Sequence, residues 1–195
     1  MSRKPKHKPK AFSSATSRPI IPTVFRAVPW QKGSRNGDIG GGKYIYTTDF
    51  LRSKGVENIV WDPGHPSGPH NGLERLANRG DYGRVPFGPG YLAWAASLIE
   101  DHQCDTVTVA NVLNVLPYKT TRLWVVDYAA AALKPGGTAY FQIYEGGDGR
   151  ERSGVRHRSR DGWQLNRATV EYLPEIAHAF SCLSVKGNVI IASGR

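Results

Sequence analysis

A cluster of glycines behind an acidic residue constrains the fold of this chain more than any other feature. Asp38 precedes three consecutive glycines, and Lys43 closes the run. A second acid, Asp62, follows about one β-α-β unit later, after the apolar segment 57–61. Glycines let a backbone approach a ligand where any Cβ would collide, and the start of a following helix attracts negative charge. Because a carboxylate at Asp62 can accept hydrogen bonds from ribose hydroxyls, the pattern predicts a cleft for a nucleoside cofactor.

Three cofactors fit such a cleft: NAD, ATP and S-adenosylmethionine. The dinucleotide pattern G-x-G-x-x-G requires a glycine where the chain has Ile45, which argues against NAD. The phosphate-loop pattern fits from Gly37 to Lys43 but then meets Tyr44, which lacks the compact hydroxyl that binds Mg²⁺. A nucleotide hydrolase stays open as an alternative, because Asp62 after a strand could bind magnesium. The pattern D-x-G-x-G is complete, at Asp38, Gly40 and Gly42.

Two later segments place further elements around this cleft. Residues 104–111 are rich in β-branched side chains and end at a polar residue, which indicates a buried strand that stops at Asn111. The run Leu133-Lys134-Pro135-Gly136-Gly137 predicts the end of a helix and a tight turn into a strand over 138–143. Strand and turn therefore follow the glycine cluster in an alternating β/α order.

The D-x-G-x-G run resembles the first motif of class I S-adenosylmethionine-dependent methyltransferases, and Asp62 resembles their ribose-binding acid. The strand ending at Asn111 and the L-K-P-G-G turn are similar to later elements of that family. The resemblance covers about residues 34–195 and is closest to uncharacterised methyltransferase-like proteins of bacteriophages and bacteria. Runs similar to theirs are Asp38–Lys43, Asp62-Pro63 with His70-Asn71, Asn111–Val115 and Gly162–Arg167.

The resemblance implies a fold, a cofactor and a set of contacts. The expected fold is α/β and Rossmann-like, with a doubly wound, mostly parallel sheet, a reduced third strand and a C-terminal antiparallel hairpin. The expected cofactor is S-adenosylmethionine, and the activity is transfer of its methyl group. Cofactor contacts are expected from Asp38, Gly40, Gly41, Gly42, Lys43, Asp62, Asn71 and Asn111. Candidate catalytic residues are Asn111, Asn114, Trp163 and Gln164.

Hydrophobic periodicity predicts the remaining elements. Helices are expected over 47–54, 91–102, 120–133 and 165–180, the last with an interruption at Pro174. Strands over 182–185 and 188–192, joined by Lys186-Gly187, predict the hairpin. The strand before Asp38 is short and lacks the apolar run of a central parallel strand. Residues 20–195 are expected to form a single domain, in which the apolar segment 20–30 packs against the body as an extended segment or short turn.

Positive charge is concentrated at one end of the chain. The first 37 residues contain nine Lys or Arg and no acid, and so carry nine units of the formal net charge of +10. Residues 1–19 are expected to be a disordered basic tail, in which 2–10 is either an arm for nucleic-acid phosphates or a solubilising end. The segment 150–160 holds five arginines and is either a phosphate-binding loop or an exposed loop with incidental charge. A nucleic-acid-binding or virion-associated accessory protein without turnover is therefore the alternative function.

Composition narrows the remaining classes. With 195 residues and 39% hydrophobic content, the chain has room for one domain with a sizeable core. No apolar run reaches the length of about 18 residues that a membrane span needs, so a cytoplasmic protein is expected, in the host cytoplasm if a bacteriophage encodes it. Cys104 and Cys182 lie in apolar strand-like surroundings and are expected to be buried, reduced thiols. The histidines are scattered, and no metal site is predicted.

The methyl acceptor is constrained mainly by a missing motif. Enzymes that methylate exocyclic amines of bases show N/D-P-P-Y/F after the fourth strand, whereas this chain has Asn111-Val112-Leu113-Asn114. No Pro-Cys loop suited to cysteine-dependent C5 methylation is present either. The acceptor face is expected to include Asn111, Asn114, Tyr144, Glu145, Trp163, Gln164 and Asn166.

Overall fold

In the described residues, helices and strands alternate over 23–61 and over 104–142, as the hydrophobic pattern predicts, and consecutive strands follow. The structure, a computed structural model, describes residues 20–41, 46–61, 103–116, 119–146 and 167–194, and the backbone alone of 156–159 and 162–165. The helices are α1 (Thr23–Ala27), α2 (Tyr46–Ser53), α3 (Lys119–Ala131) and α4 (Leu173–Ile176), with 3-10 turns at Leu113–Val115 and Thr169–Tyr172. The strands are β1 (Arg35–Ile39), β2 (Glu57–Trp61), β3 (Cys104–Ala110), β4 (Leu133–Gln142), β5 (Arg156–Ser159), β6 (Gly162–Leu165), β7 (Cys182–Lys186) and β8 (Val189–Ser193).

Within the described residues, six strands form one mixed sheet in the order β2-β1-β3-β4-β8-β7. Strands β2, β1, β3 and β4 are parallel to one another, β8 runs antiparallel to β4, and β7 runs antiparallel to β8. The chain adds β2 on one side of β1 and then returns to place β3 on the other side. This confirms the predicted mostly parallel, doubly wound sheet and its C-terminal antiparallel hairpin.

Helices cover both faces of the sheet, which is why the parallel strands can be apolar on both sides. On one face α1 and α2 bury side chains such as Phe25 and Leu51. On the other face α3 buries Val125, Val126 and Ala129, and α4 buries Ile176. The buried positions of α3 recur every three or four residues, so a single stripe of the helix faces the core. The predicted packing of the segment 20–30 against the body is confirmed by this contact of α1.

The central strand β1 is polar, yet it is buried. Asn36 and Asp38 have 0% and 1% exposure. The Asn36 carboxamide donates to Asn58 Oδ1 at 2.8 Å and to Thr108 Oγ1 at 2.9 Å, and it accepts from Thr106 Oγ1 at 2.9 Å. These side-chain hydrogen bonds replace those that the buried groups would form with water. A polar strand at the centre of the sheet therefore loses little folding free energy. The short first strand expected from the sequence is confirmed, and its neighbours supply the missing partners.

A buried ion pair connects α3 with α4. Arg122 Nε and Nη2 donate to Glu175 Oε2 and Oε1 at 2.6 and 2.8 Å, and Arg167 Nη2 approaches Glu175 Oε1 at 3.1 Å. Burial opposes ionisation of Glu175, but the two guanidinium groups outweigh it and hold its pKa below the ordinary value. The Arg122 Nη1 atom also donates to the carbonyl of Leu116, at 2.9 Å. The ion pair thereby fixes the loop that follows β3.

Three predictions about these elements need correction. The helix over 165–180 is wrong: Leu165 ends β6, and the described part of that range contains a 3-10 turn and α4. Pro174 lies in the first turn of α4, where its missing N–H costs nothing, so it begins a helix instead of interrupting one. Leu133, expected in a helix, pairs with Cys104 in the sheet. Cys182, expected to be buried, is exposed.

The L-K-P-G-G turn lies inside strand β4. Cys104 pairs with Leu133, whereas Thr106 pairs with Thr138, so the intervening residues of β4 form a bulge. Gly136 in this bulge has φ +79°, a left-handed conformation that glycine adopts readily. Helix α3 ends at Ala131 and β4 begins at Leu133. The predicted turn is therefore present, but it interrupts β4 instead of preceding it.

Several expectations fall outside the described residues. They are the tail 1–19, the helix over 91–102 and the reduced third strand, and they stay predictions. Among the described residues, the structure contains no helix with the length and apolar character that a membrane crossing requires.

Candidate functional site

The carboxyl ends of β1, β2 and β3 meet at one edge of the sheet. Ile39 is paired with Trp61 on one side and with Val109 on the other, so the three strands end level with one another. The N–H of Gly40 donates to the carbonyl of Trp61 at 2.9 Å and thereby holds the first loop against the end of β2. The direction in which the chain adds strands reverses between β1 and β3. Ligands of open α/β sheets bind in the crevice at such a reversal.

The glycine loop after β1 is too tightly packed for any side chain. Gly40 has φ +78°, and a Cβ on it would clash with Val112 Cγ2, just past the end of β3. A Cβ on Gly41 would lie 2.6 Å from Asp38 Oδ2 and 2.7 Å from Val60 Cγ1. Gly41 therefore lets the main chain pass directly over the Asp38 carboxylate. The glycines therefore permit a close approach of the loop to the protein's own side chains, and their predicted approach to a ligand stays a prediction.

Asp38 lies beneath this loop and is almost fully buried. Its carboxylate accepts from Thr47 Oγ1 at 3.3 Å and from Thr108 Oγ1 at 3.4 Å. Thr47 belongs to α2 and Thr108 to β3, so Asp38 connects the helix after the glycine loop with the neighbouring strand. A buried carboxylate requires such partners, since burial without them would cost several kcal/mol, about the size of the whole stability margin.

Asn111 follows the last residue of β3 and is the non-glycine residue with a left-handed backbone among those described, at φ 59°. Asparagine tolerates this conformation better than most residues, because its short side chain forms local hydrogen bonds. Its N–H donates to the carbonyl of Gln142 at 2.8 Å, and its Oδ1 accepts from Gln142 Nε2 at 3.4 Å. The residue is partly exposed.

The polar residues that the sequence predicts to face the methyl acceptor differ in their accessibility. Asn114 lies in the Leu113–Val115 turn with 1% exposure, and its Oδ1 has no hydrogen-bond partner in the part of the chain that the structure describes. Tyr144 is exposed just past the end of β4. Glu145 Oε1 accepts from both the N–H and the hydroxyl of Thr169 at 2.6 Å, so this oxygen already holds the start of the 3-10 turn.

The backbone of the chain is similar to that of several solved structures. An O-methyltransferase family protein from Burkholderia thailandensis is 21% identical and superposes with a TM-score of 0.50, over 83% of this chain and 52% of that one. DesVI from Streptomyces venezuelae is 12% identical with a TM-score of 0.54, over 89% of both chains. Human N-acetylserotonin methyltransferase, solved in complex with SAM, is 14% identical with a TM-score of 0.52, over 88% of this chain and 50% of that one.

These likenesses, with the strand order of the sheet, decide the fold. The chain has the class I methyltransferase fold. It spans about half the length of the Burkholderia and human proteins. No protein-family model and no curated protein sequence matches the chain with significance. At such low sequence identities the structural similarity shows the fold alone. The activity is therefore proposed from the residues of the site.

Within the class I methyltransferase fold, the structure brings four predicted cofactor residues to one edge of the sheet. Asp38, Gly40 and Gly41 lie at the end of β1, and Asn111 lies at the end of β3. Gly42, Lys43, Asp62 and Asn71 lie outside the described residues, as does Asn166, and their roles stay predictions. Trp163 and Gln164 belong to β6, whose backbone runs beside the Leu113–Val115 turn. This places their segment next to Asn114.

Sequence reasoning missed Gln142, which links Asn111 to α1. Gln142 ends β4 and is 6% exposed. Its Oε1 accepts from Val24 N at 2.8 Å and from Thr23 Oγ1 at 3.0 Å. A signal was present, because a glutamine directly after the apolar run 139–141 requires partners if it is buried with that run. The predicted site was built from the glycine cluster and the residues that follow it, whereas α1 precedes the cluster in the chain.

Proposed function

We propose that this protein is an S-adenosylmethionine-dependent methyltransferase. The observation that carries the proposal is the contact between Gly40 and Val112 at the reversal of strand order. This contact sets the main chain of the glycine loop beside the end of β3, where Asn111 follows. Backbone without side chains on one side and a polar strand end on the other suit an adenosine cofactor that carries an amino acid.

The described residues fit this cofactor. A Cβ on Gly40 or Gly41 would clash with Val112, Val60 or Asp38, so only glycines let the loop pack against these residues. The peptide groups of the loop are the surface that we propose a ligand contacts. Asp38 supports that surface from below, and Asn111 offers its carboxamide at the end of β3. When bound, the cofactor supplies an electrophilic methyl group, and the protein contributes binding, orientation and exclusion of water.

The proposed acceptor is anionic, with nucleic acid as the first substrate to test. This part rests on the basic residues of the first 37 positions and of the segment 150–160. Tyr144, exposed beside the end of β4, gives the acceptor side an aromatic surface on which a planar group can stack. Transfer of a labelled methyl group into separate DNA, RNA and protein fractions distinguishes these acceptors.

The cofactor proposal is tested by titration calorimetry with S-adenosylhomocysteine. The wild type is expected to bind, and Asp62→Ala is expected to weaken binding by about tenfold or more, as the loss of hydrogen bonds to a charged group implies. Asp49→Ala is the matched control, because it removes an exposed acid from α2. Mass spectrometry of the nucleoside released from denatured protein is an independent readout. A wild type that binds no S-adenosyl compound in either experiment removes the proposal.

A further inference from the structure

The side chain of Gln142 has a fixed orientation in the structure. Ordinarily the oxygen and nitrogen of a glutamine amide are assigned from the surrounding hydrogen bonds. Here one partner is the main-chain N–H of Val24, which can only donate. The oxygen of Gln142 must therefore face α1, and the hydroxyl of Thr23 donates to the same oxygen.

This orientation determines that of Asn111. With its oxygen toward α1, Gln142 presents its NH₂ group to Asn111, whose Oδ1 accepts at 3.4 Å. The distance is long for an amide pair, so the bond is weaker than the two at Gln142 Oε1. The main chain of Asn111 is held in place by the 2.8 Å bond from its N–H to the carbonyl of Gln142. The NH₂ group of Asn111 is then directed away from Gln142.

We propose that Gln142 is a positioning residue that makes Asn111 a hydrogen-bond donor toward the crevice. Asn111 then binds an acceptor group of the cofactor, the carboxylate of its amino acid part, and does not bind the ammonium group. The inference rests on the proposed function, since it assigns a contact to the same cofactor. It also gives α1 a role in the site, because Val24 sets the orientation of both amides.

A carboxylate at position 142 reverses the polarity of this chain of hydrogen bonds. In Gln142→Glu the side chain still accepts from Val24 and Thr23, but it has no hydrogen to donate to Asn111. The Asn111 carboxamide then turns its NH₂ group toward residue 142 and its oxygen toward the crevice. An oxygen in that position repels the cofactor's carboxylate.

The experiment compares two ligands that differ in the carboxylate alone. S-adenosylmethionine and its decarboxylated form are titrated by calorimetry into the full-length wild type and variants. The wild type is expected to prefer S-adenosylmethionine by about tenfold or more, the range for a hydrogen bond to a charged group. Gln142→Glu is expected to reduce this preference to about threefold or less, a loss that corresponds to roughly half of the carboxylate's contribution. Gln103→Glu, an exposed change just before the amino end of β3, is expected to keep the preference.

Two further variants separate orientation from charge and from folding. Gln142→Met has a similar volume and no charge, so a reduced preference in this variant reports the lost hydrogen bond alone. In an Asn111→Ala background, Gln142→Glu is expected to cause no further change in the preference, because its effect passes through Asn111. Far-UV circular dichroism and thermal unfolding identify any variant that fails to fold, in which case Gln142→Met decides.

The outcomes distinguish this inference from the proposed function. A wild type that binds both ligands equally, or variants at position 142 that keep the wild-type preference, would overturn the role of Gln142 and leave the methyltransferase proposal intact. A further loss on Gln142→Glu in the Asn111→Ala background would also overturn it, since the added charge would then act directly on the ligand. A wild type that binds neither ligand would remove both proposals.

Discussion

The contact between the two loops of the crevice leads to a prediction about Gly40→Ala. An alanine here must adopt φ +78°, and its Cβ clashes with Val112 Cγ2. Gly136 provides a matched control, because it has φ +79° but a Cβ added to it would meet no atom within 4 Å. The two alanine variants therefore share the backbone cost and differ in the clash.

The magnitude follows from these two terms. A left-handed backbone costs a non-glycine residue about 1–2 kcal/mol, which is the whole effect expected for Gly136→Ala. Extra volume in a packed position adds about 1–3 kcal/mol, so Gly40→Ala is expected to lose about 2–5 kcal/mol. For a chain of this size, each kcal/mol lowers the Tm by about 2–4 °C. The expected decreases are about 2–8 °C for Gly136→Ala and about 4–20 °C for Gly40→Ala.

Thermal unfolding followed by circular dichroism measures the change in Tm, and calorimetry with S-adenosylhomocysteine measures the change in ligand affinity. Gly40→Ala is expected to weaken binding by about tenfold, because relief of the clash displaces the loop, and about 1.4 kcal/mol of lost contact suffices for that factor. Gly136→Ala is expected to bind as the wild type does, since the bulge of β4 lies away from the crevice. The double variant Gly40→Ala/Val112→Ala is expected to recover part of both losses, because the clashing methyl group is gone.

The comparison between the two glycines also supplies the refutation. If Gly40→Ala lowers the Tm no more than Gly136→Ala and binds the ligand equally well, the loops after β1 and β3 do not touch as described. If Val112→Ala fails to rescue any part of a larger loss, the clash is not its cause.

The remaining predictions concern the thiols, the buried ion pair and acid stability. A thiol reagent at mildly alkaline pH is expected to modify Cys182 in the native protein and Cys104 only after unfolding. The reason is that burial raises the pKa of Cys104 to about 12. Equal labelling of the two thiols in the native state would contradict this. Glu175→Gln is expected to cost about 3–5 kcal/mol in denaturant unfolding, since it leaves a buried guanidinium uncompensated, whereas Asp49→Asn in an exposed pair is expected to cost less than about 1 kcal/mol. A neighbouring lysine and a backbone N–H hold the pKa of Asp105 below 3.8, so its contribution is present above that pH and is lost as the pH falls through the folded-state pKa. Unfolding free energies at pH 7 and pH 3 are expected to differ less in Asp105→Asn than in the wild type, and an unchanged difference would argue against this pair.

The sequence predicted best where local pattern and tertiary contact agree. The strand that ends at Asn111 is β-branched and buried, and the structure places it within one residue of the predicted bounds. The C-terminal hairpin is equally close, because Gly187 at φ +59° supplies the turn that joins β7 and β8. In both cases the residues that form the element also identify it.

The prediction failed where an element depends on partners far away in the chain. Thr169 and Glu175 lie in a stretch with helical periodicity, but their side chains bond Glu145 and Arg122, which lie on other elements. Those contacts fix a 3-10 turn and a short helix in place of a continuous one. Gln142 was missed for the same reason, because its partners on α1 are more than 110 residues away in sequence.

The polar character of β1 has a physical origin that also explains the position of the site. Gly37 has no side chain, and the indole ring of Trp61 occupies the space that a Cβ on Gly37 would approach at 3.0 Å. The neighbouring strand thus supplies the apolar packing that β1 lacks on this face. On the opposite face Asn36 and Asp38 bond side chains of α2, β2 and β3.

A central strand built in this way gives Asp38 a structural role in the site. Its carboxylate is buried below Gly41 and accepts hydroxyl groups from α2 and β3, so it ties the glycine loop to the elements on both sides. A larger residue at position 41 would displace the loop from this support. We interpret the acid of the D-x-G-x-G run as the group that fixes the shape of the loop, while the loop's peptide groups and Asn111 form the surface that we propose for ligand contact. The motif can therefore be recognised in the sequence, because the same tightly packed loop requires both the glycines and the acid.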